Sequence, residues 1–321
     1  MTNFWNTIQR PILALAPMAG ITDSAFRQIC RENGADITYS EMASVTALFH
    51  KPQKTLDLIR FNKKERPYIV QLFGNNPEHF AVATKIITEK VKPDGIDINF
   101  GCPAKKVFNH GSGCALMPQP ELARQIISAV CENTNLPVSI KIRAGIEGKN
   151  GINQASTAID FIKYTADLPY CAVMIHGRTY EGGFSGEVDW EIISKIKKII
   201  PKKIVLGNGG ILTAEKALEV LRKYPEIDGL GIARGAWGRP YLFSEIKESY
   251  ENKKVAIYDF KKIKKIMIRH AKLIFADKKD FGLFEIRKHL VWYIKGFSGA
   301  SELRKKLVRA ESVEEIKEIL K

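Results

Sequence analysis

Between residues 10 and 245 the chain alternates short apolar runs with longer stretches whose apolar residues recur every three to four positions. The runs are Ile12–Ala16, Asp36–Ser40, Tyr68–Leu72, Gly95–Asn99, Val138–Ile142, Ala172–His176, Lys203–Leu206 and Asp228–Ile232. They are rich in Ile, Val and Leu and nearly continuous, the mark of parallel strands buried on both faces. The stretches between them start on helix caps, among them Thr22-Asp23, Asn76-Pro77-Glu78 and Thr213-Ala214-Glu215, which free the first backbone N–H groups from needing a partner. A doubly wound open sheet also alternates strand and helix. Eight such units in this length fit a (β/α)8 TIM barrel better.

The pattern changes after residue 245. From Lys247 onward there is no proline and only Gly282, Gly296 and Gly299. Phe260, Ile263, Met267 and Ile274 recur at helical spacing, while Lys261, Lys262, Lys264, Lys265, Arg269 and Lys272 fill the remaining positions. This predicts an amphipathic helix with a basic solvent face. Further helices are expected around 284–295 and 312–320. The chain therefore divides into a barrel, 1–245, and a small helical bundle, 246–321.

Composition narrows the class. A content of 45% hydrophobic and 26% charged residues in 321 is ordinary globular composition. No apolar run is long enough for a membrane span, and the first twenty residues lack the pattern of a signal peptide. The five cysteines are odd in number and include no CxxC pair, so reduced thiols in a cytoplasm are expected rather than disulfides or a metal site. The oligomeric state is open, a monomer being the simpler expectation.

The net charge is +15, of which +9 comes from the 20 Lys+Arg and 11 Asp+Glu after Glu245. Charge alone fits a polyanionic partner and a merely basic surface equally well. Its concentration in the helical tail turns it into a localised signal for a partner.

A barrel places its catalytic residues at the carboxyl ends of the strands. Polar residues and glycines do collect there: Ala16-Pro17-Met18 after the first run, Glu41 after the second, Gln71 in the third and Asn99 with Cys102 at the fourth. Lys141 and Arg143 follow at the fifth, His176 and Arg178 at the sixth, Asn208-Gly209-Gly210 at the seventh and Ala233-Arg234 at the eighth. Glycines after the last two strands leave N–H groups open to a phosphate, with Arg234 as its counter-charge. Lys141 in an apolar strand needs a negative partner, such as an electron-poor ring that becomes anionic on reduction. Gln71 offers donor and acceptor together, which suits a uracil-like edge. His176 can donate to a cofactor or substrate carbonyl. Cys102, on a glycine–proline loop over the mouth, is placed to react as a nucleophile or a proton donor. Cys30, Cys131 and Cys171 fall in helices or strands and read as packing residues; Cys114 is ambiguous.

These segments together resemble the tRNA-dihydrouridine synthases, closest to the bacterial B-type branch. The resemblance is carried by APMAGITDSAFR (16–27), QLFG (71–74), DINFGCPAKKV (97–107), GSGCALM (111–117), KIRAG (141–145), HGRT (176–179), GNGGI (207–211) and ARGAWGRP (233–240). It covers nearly the whole chain. It implies an FMN enzyme that reduces tRNA uridines to 5,6-dihydrouridine with NADPH as electron source. It further implies that Ala16, Pro17, Met18, Gln71, Lys141 and His176 surround the flavin ring, and that Asn208, Gly209, Gly210, Ala233 and Arg234 hold its phosphate. Cys102 would be the general acid. Asn99, Arg143 and Arg178 would meet the substrate, with Arg287 and Lys288, on a helix that also carries Trp292-Tyr293, facing tRNA. Two positions depart from the family pattern: Gly210 stands where Asp is common, and Cys114 where a smaller residue is usual.

Two rival readings follow. A flavin barrel acting on a free pyrimidine, like a dihydroorotate dehydrogenase, would not need the basic tail. A tRNA-binding protein that has lost its activity would have no reason to keep Cys102, Lys141 and His176 together.

Overall fold

The computed structural model describes residues 3–148, 155–296 and 299–321. Nine strands form: β1 (Ile12–Leu15), β2 (Ile37–Ser44), β3 (Tyr68–Phe73), β4 (Gly95–Phe100), β5 (Val138–Ile146), β6 (Ser156–Thr157), β7 (Ala172–Thr179), β8 (Ile204–Asn208) and β9 (Gly229–Ile232). Eight of them pair in parallel, and β4 to β5 and β9 to β1 close the ring. The expected (β/α)8 barrel is the fold, with helices following the C-terminal ends of the strands. The ninth strand, β6, was not expected. It pairs antiparallel with Gly145 and Ile146, and this partner lets β5 run past the mouth to Ile146. Lys141 therefore sits in the middle of its strand rather than at its end. Strand β2 likewise continues past a register irregularity, so that Glu41 lies within it.

Alternation along the strands sorts the interior into layers. Ile12, Ile37, Ile69, Ala172 and Ile204 form the apolar bottom, plugged by Trp5 from the N-terminal turn. One or two pleats higher, the same inward faces carry Gln71, Asn99, Lys141, His176 and Asn208. The outward faces of the strands and the surrounding helices make a separate, larger apolar core.

The helix Ser24–Glu32 is fixed to the barrel by a buried ion pair. Arg27 Nε lies 2.6 Å from Glu65 Oε2, both side chains fully buried, while its Nη atoms donate to the carbonyls of Thr22 and Arg60.

In the tail, Phe260–Tyr293 is a long helical segment broken at Lys279 (φ 51°, ψ −136°). Two short helices follow, Ala300–Leu307 and Val313–Ile319; the former was not expected from the sequence. Met267, Ile274, Leu283, Ile286, Leu290, Leu307 and Ile316 form their common core. Gly282 is needed at the break, since a Cβ there would press into the Ile274 carbonyl at 2.6 Å.

The tail packs on Ser24–Glu32. Phe26 stacks on His270 and meets His289, Arg269 pairs with Glu32, and Lys278 reaches Asp23. A second junction joins the tail to the loop after β9. Trp237 and Trp292 stack with ring centres 4.5 Å apart and planes 9° apart. Next to it Gly238 (φ +68°) lies so close to the backbone that a Cβ would overlap the Trp292 carbonyl. Among the described residues no helix is long and apolar enough to cross a membrane.

Candidate active site

A cavity of about 700 Å³ opens at the C-terminal mouth of the barrel. It is lined by Ala16, Pro17, Met18, Gln71, Asn99, Cys102, Lys141, Arg143, His176, Arg178, Asn208, Gly209, Gly210, Ala233 and Arg234. These come from seven of the eight barrel strands and the loops that follow them, so the barrel alone brings them together. Arg287 and Lys288 do not line it. Lys288 stands at its rim, where Nζ donates to the carbonyl of Gly20, and Arg287 donates to the carbonyl of Ala310 at 3.3 Å.

One wall is a hydrogen-bonded chain. Ser139 Oγ and Gln71 Nε2 both donate to the buried carboxylate of Asp97, each at 2.6 Å. Asn99 Nδ2 donates to Gln71 Oε1 at 2.9 Å. Asn99 Oδ1 in turn accepts from the backbone N–H groups of Gly101 and Cys102 at 3.0 and 2.9 Å. This fixes which way both amides point and pins the loop that carries Cys102. Burial pushes the Asp97 carboxyl up to about 6, against its hydrogen bonds from Gln71 and Ser139 and the Lys141 charge. Asp97 lies within a motif of the sequence, yet its role was missed. An aspartate inside an otherwise apolar run was the available signal, because a buried carboxylate needs several donors.

The adjoining wall, which starts on the neighbouring strand β5, is cationic. Burial, reinforced by Arg143, drives the Lys141 ammonium down to about 8, and among the described residues it has no hydrogen-bond partner. Burial and the charges of Lys141, Arg143, Arg178 and Arg234 push His176 down to about 2. It is neutral, and its Nε2 accepts from Arg178 Nη1 at 3.2 Å, which leaves the proton on Nδ1. Arg143 is largely occupied as a staple: Nε donates to Gly101 O at 3.0 Å and Nη1 to the carbonyls of Thr179 and Gly183 at 2.9 Å. Its Nη2 is the free end. Arg234 donates to Phe184 O at 2.6 Å, and the Phe184 ring lies 5.5 Å from both the Arg143 and the Arg234 guanidinium. Phe184, Met42 and Trp237 are lining residues that the sequence reading missed.

The loop after β8 comes close to His176. Gly209 (φ +122°) would bring a Cβ to 2.9 Å from His176 Cδ2, so the backbone there can approach a ligand as no other residue would allow. On the other side, Trp237 Nε1 donates to Met18 Sδ at 3.2 Å.

Two thiols lie near each other. Burial raises the Cys102 thiol above its ordinary value despite the Ala104 N–H and the Lys141 and Arg143 charges. It is S–H at neutral pH, with cations at hand to stabilise a thiolate once the proton leaves. That favours a proton donor over a nucleophile. Cys114 is buried in the barrel core and pushed up to about 12 by burial. Its backbone N–H donates to Cys102 O at 3.2 Å, so its segment braces the Cys102 loop.

The structure corrects one expectation. Trp292 and Tyr293 do not face outward with Lys288. Tyr293 is buried beside His270, and Trp292 is covered by Trp237. The tail's apolar core claims that side of the helix.

The chain is similar to known proteins over nearly its whole length. The family model described as dihydrouridine synthase matches residues 14–321. A probable tRNA-dihydrouridine synthase of Mycobacterium tuberculosis is 33% identical, over 95% of this chain and 80% of its own. A tRNA-dihydrouridine synthase B of Pseudomonas syringae pv. tomato is 35% identical, over 94% of this chain and 88% of its own. Among solved structures, a 2-naphthoyl-CoA reductase superposes with a TM-score of 0.54 at 12% identity, covering 75% of this chain and 50% of that one. This last likeness is one of fold.

Proposed function

The chain belongs to the dihydrouridine synthase family, and from that premise we propose that it is an FMN enzyme that reduces uridines of tRNA to 5,6-dihydrouridine with NADPH as electron source. The single observation that supports this best is a protonated thiol set beside a cationic, carboxylate-poor wall in one cavity. Lys141 and His176 are both driven toward neutrality by burial among like charges. Such a site calls for an anion. A flavin mononucleotide brings a phosphate and a ring that gains negative charge on reduction, so the residues present fit it. Gly209, Gly210, Asn208, Ala233 and Arg234 would hold the phosphate. Ala16, Pro17, Met18, Gln71, Lys141 and His176 would surround the ring.

The flavin, when bound and reduced, would supply the hydride for C6 of the uracil ring. Cys102 gives its proton to C5 as the 5,6 double bond is lost, and the thiolate left behind rests against Lys141 and Arg143 until solvent reprotonates it. Lys141 offsets negative charge at the ring. Asn99, Arg143 Nη2 and Arg178 are the polar groups available to the uracil and its ribose. Arg287, Lys288 and the basic tail, 246–321, would dock the tRNA on the barrel, 1–245, by phosphate contacts. The uridine must leave its stack to enter. Such a protein would work in the cytoplasm.

The test is direct. Unmodified tRNA, the FMN-loaded protein and NADPH should yield nucleosides that have gained two hydrogens, read by mass spectrometry. Free uridine or orotate reduced or oxidised in preference to tRNA would overturn the assignment.

A further inference from the structure

Beyond the break at Lys279, Phe281 and Phe284 are 65% and 63% exposed. They belong to neither the tail core nor the barrel core. Three residues apart on a helix, they share one face, and Lys288 continues it one turn further on. Side chains of this size left together in water mark a surface that something covers. The surroundings say what kind of partner. The Arg287 guanidinium lies 4.7 Å from the centre of the Phe284 ring. Lys288 Nζ donates to Gly20 O, in the loop whose Ala19 and Ile21 line the cavity. The ridge therefore begins at the cavity rim and runs outward for about 10 Å along the helix axis. Of the two acids beside the rings, Glu285 is occupied by Lys278 at 2.5 Å, and Asp280 stands exposed at the end away from the cavity.

We propose that Phe281 and Phe284 are a stacking platform for unpaired bases of an RNA loop, the bases that flank the uridine entering the cavity. Arg287 and Lys288 would take the phosphates between them. Alternating aromatic rings and cations is the chemistry of single-stranded nucleic-acid grooves. A second copy of this chain fits poorly, because two tails of net +9 would meet face to face. The identity of the RNA as tRNA rests on the reading above; the platform itself rests on the exposed rings and their cations.

The experiment measures binding of an unmodified tRNA transcript to the FMN-loaded protein at several salt concentrations. The variants are Phe281→Ala, Phe284→Ala, the double variant, Phe284→Trp and Lys288→Gln. Each alanine should weaken binding about tenfold, and Phe284→Trp should keep it. Stacking is uncharged, so the alanine variants should keep the wild-type slope of log affinity on log salt, whereas Lys288→Gln should reduce it by about one. Both rings stand in solvent, so melting temperatures should not change. Wild-type RNA affinity in the double variant overturns the proposal. So does wild-type affinity joined to loss of self-association in sedimentation, which would assign the rings to a second copy. If wild type binds tRNA in a Phe-dependent way but makes no dihydrouridine, the activity falls and the platform stands. If wild type and double variant make dihydrouridine with the same KM for tRNA, the platform falls and the activity stands.

Discussion

Lys141 is a charge held where the flavin-free protein would be better without it, and Lys141→Met tests that. The side chain is buried beside Arg143, and its ammonium is driven from an ordinary 10.5 to about 8. At 1.36 kcal/mol per pH unit, keeping it charged in the fold costs about 3 kcal/mol. The sign follows from the direction of the shift. A lowered folded-state pKa means that the unfolded chain holds the proton more tightly, so the penalty is complete below pH 8. It fades as pH rises from 8 toward 10.5 and is gone above that. Methionine keeps the apolar stem and removes the charge. Loss of the cation beside Asp97, already raised to about 6, offsets part of the gain, so 3 kcal/mol is the upper figure. Flavin-free Lys141→Met should therefore be more stable than wild type at pH 7, melting higher by up to about 4–5 °C for a chain of this length. The advantage should shrink to about 2 kcal/mol at pH 9 and vanish near pH 11. The same variant should hold FMN less tightly, because the cation that the anion neutralises has gone. Chemical unfolding of flavin-free protein across this pH range, with FMN titrations alongside, measures both. A variant less stable than wild type at pH 7, or an advantage independent of pH, would refute the reasoning.

Cys102→Ala should lower dihydrouridine formation by about 10²–10⁴-fold while the flavin absorbance of the purified protein is kept; a wild-type rate would remove Cys102 as the acid. Asp97→Ala strips the acceptor from Gln71 and Ser139, and two orphaned buried donors should destabilise the fold by about 2–6 kcal/mol in urea unfolding. Glu65→Gln leaves Arg27 buried and unpaired, for an expected loss of about 3–5 kcal/mol, read by the same method. His270, pushed down to about 4 by burial, stays neutral in the fold while the unfolded chain protonates near 6.5. Stability should thus fall by about 3 kcal/mol as pH drops from 6.5 to 4, and His270→Phe should lessen that acid sensitivity in melts across the range.

Much of the site was legible because a barrel turns one-dimensional order into three-dimensional position. Once eight buried strands are recognised, their carboxyl ends must meet, and Gln71, Lys141, His176 and Asn208 do meet there. What escaped the sequence depends on partners chosen in space. Arg143 reads as a substrate ligand, yet three carbonyls from two loops use most of its donors. Asp97 is silent until Gln71 and Ser139 are seen to converge on it. Trp292 and Tyr293 stand beside Lys288 in sequence, but one helix has several faces, and the tail core takes theirs. The separate helices expected before and after 276–283 implied a break between them, and the structure sets it at Lys279.

The Trp237–Trp292 stack and the backbone contact at Gly238 bear on how the two parts can be taken apart. Trp237 donates from its ring edge to Met18 and stacks its face on Trp292, so a single indole is at once part of the cavity wall and the seat of the tail. Cutting the chain after the barrel would strip the backing from Met18 and from the loop that carries Arg234. Two apolar cores notwithstanding, barrel and tail share one seam, and any tilt of the tail is delivered first to the loop that carries Arg234.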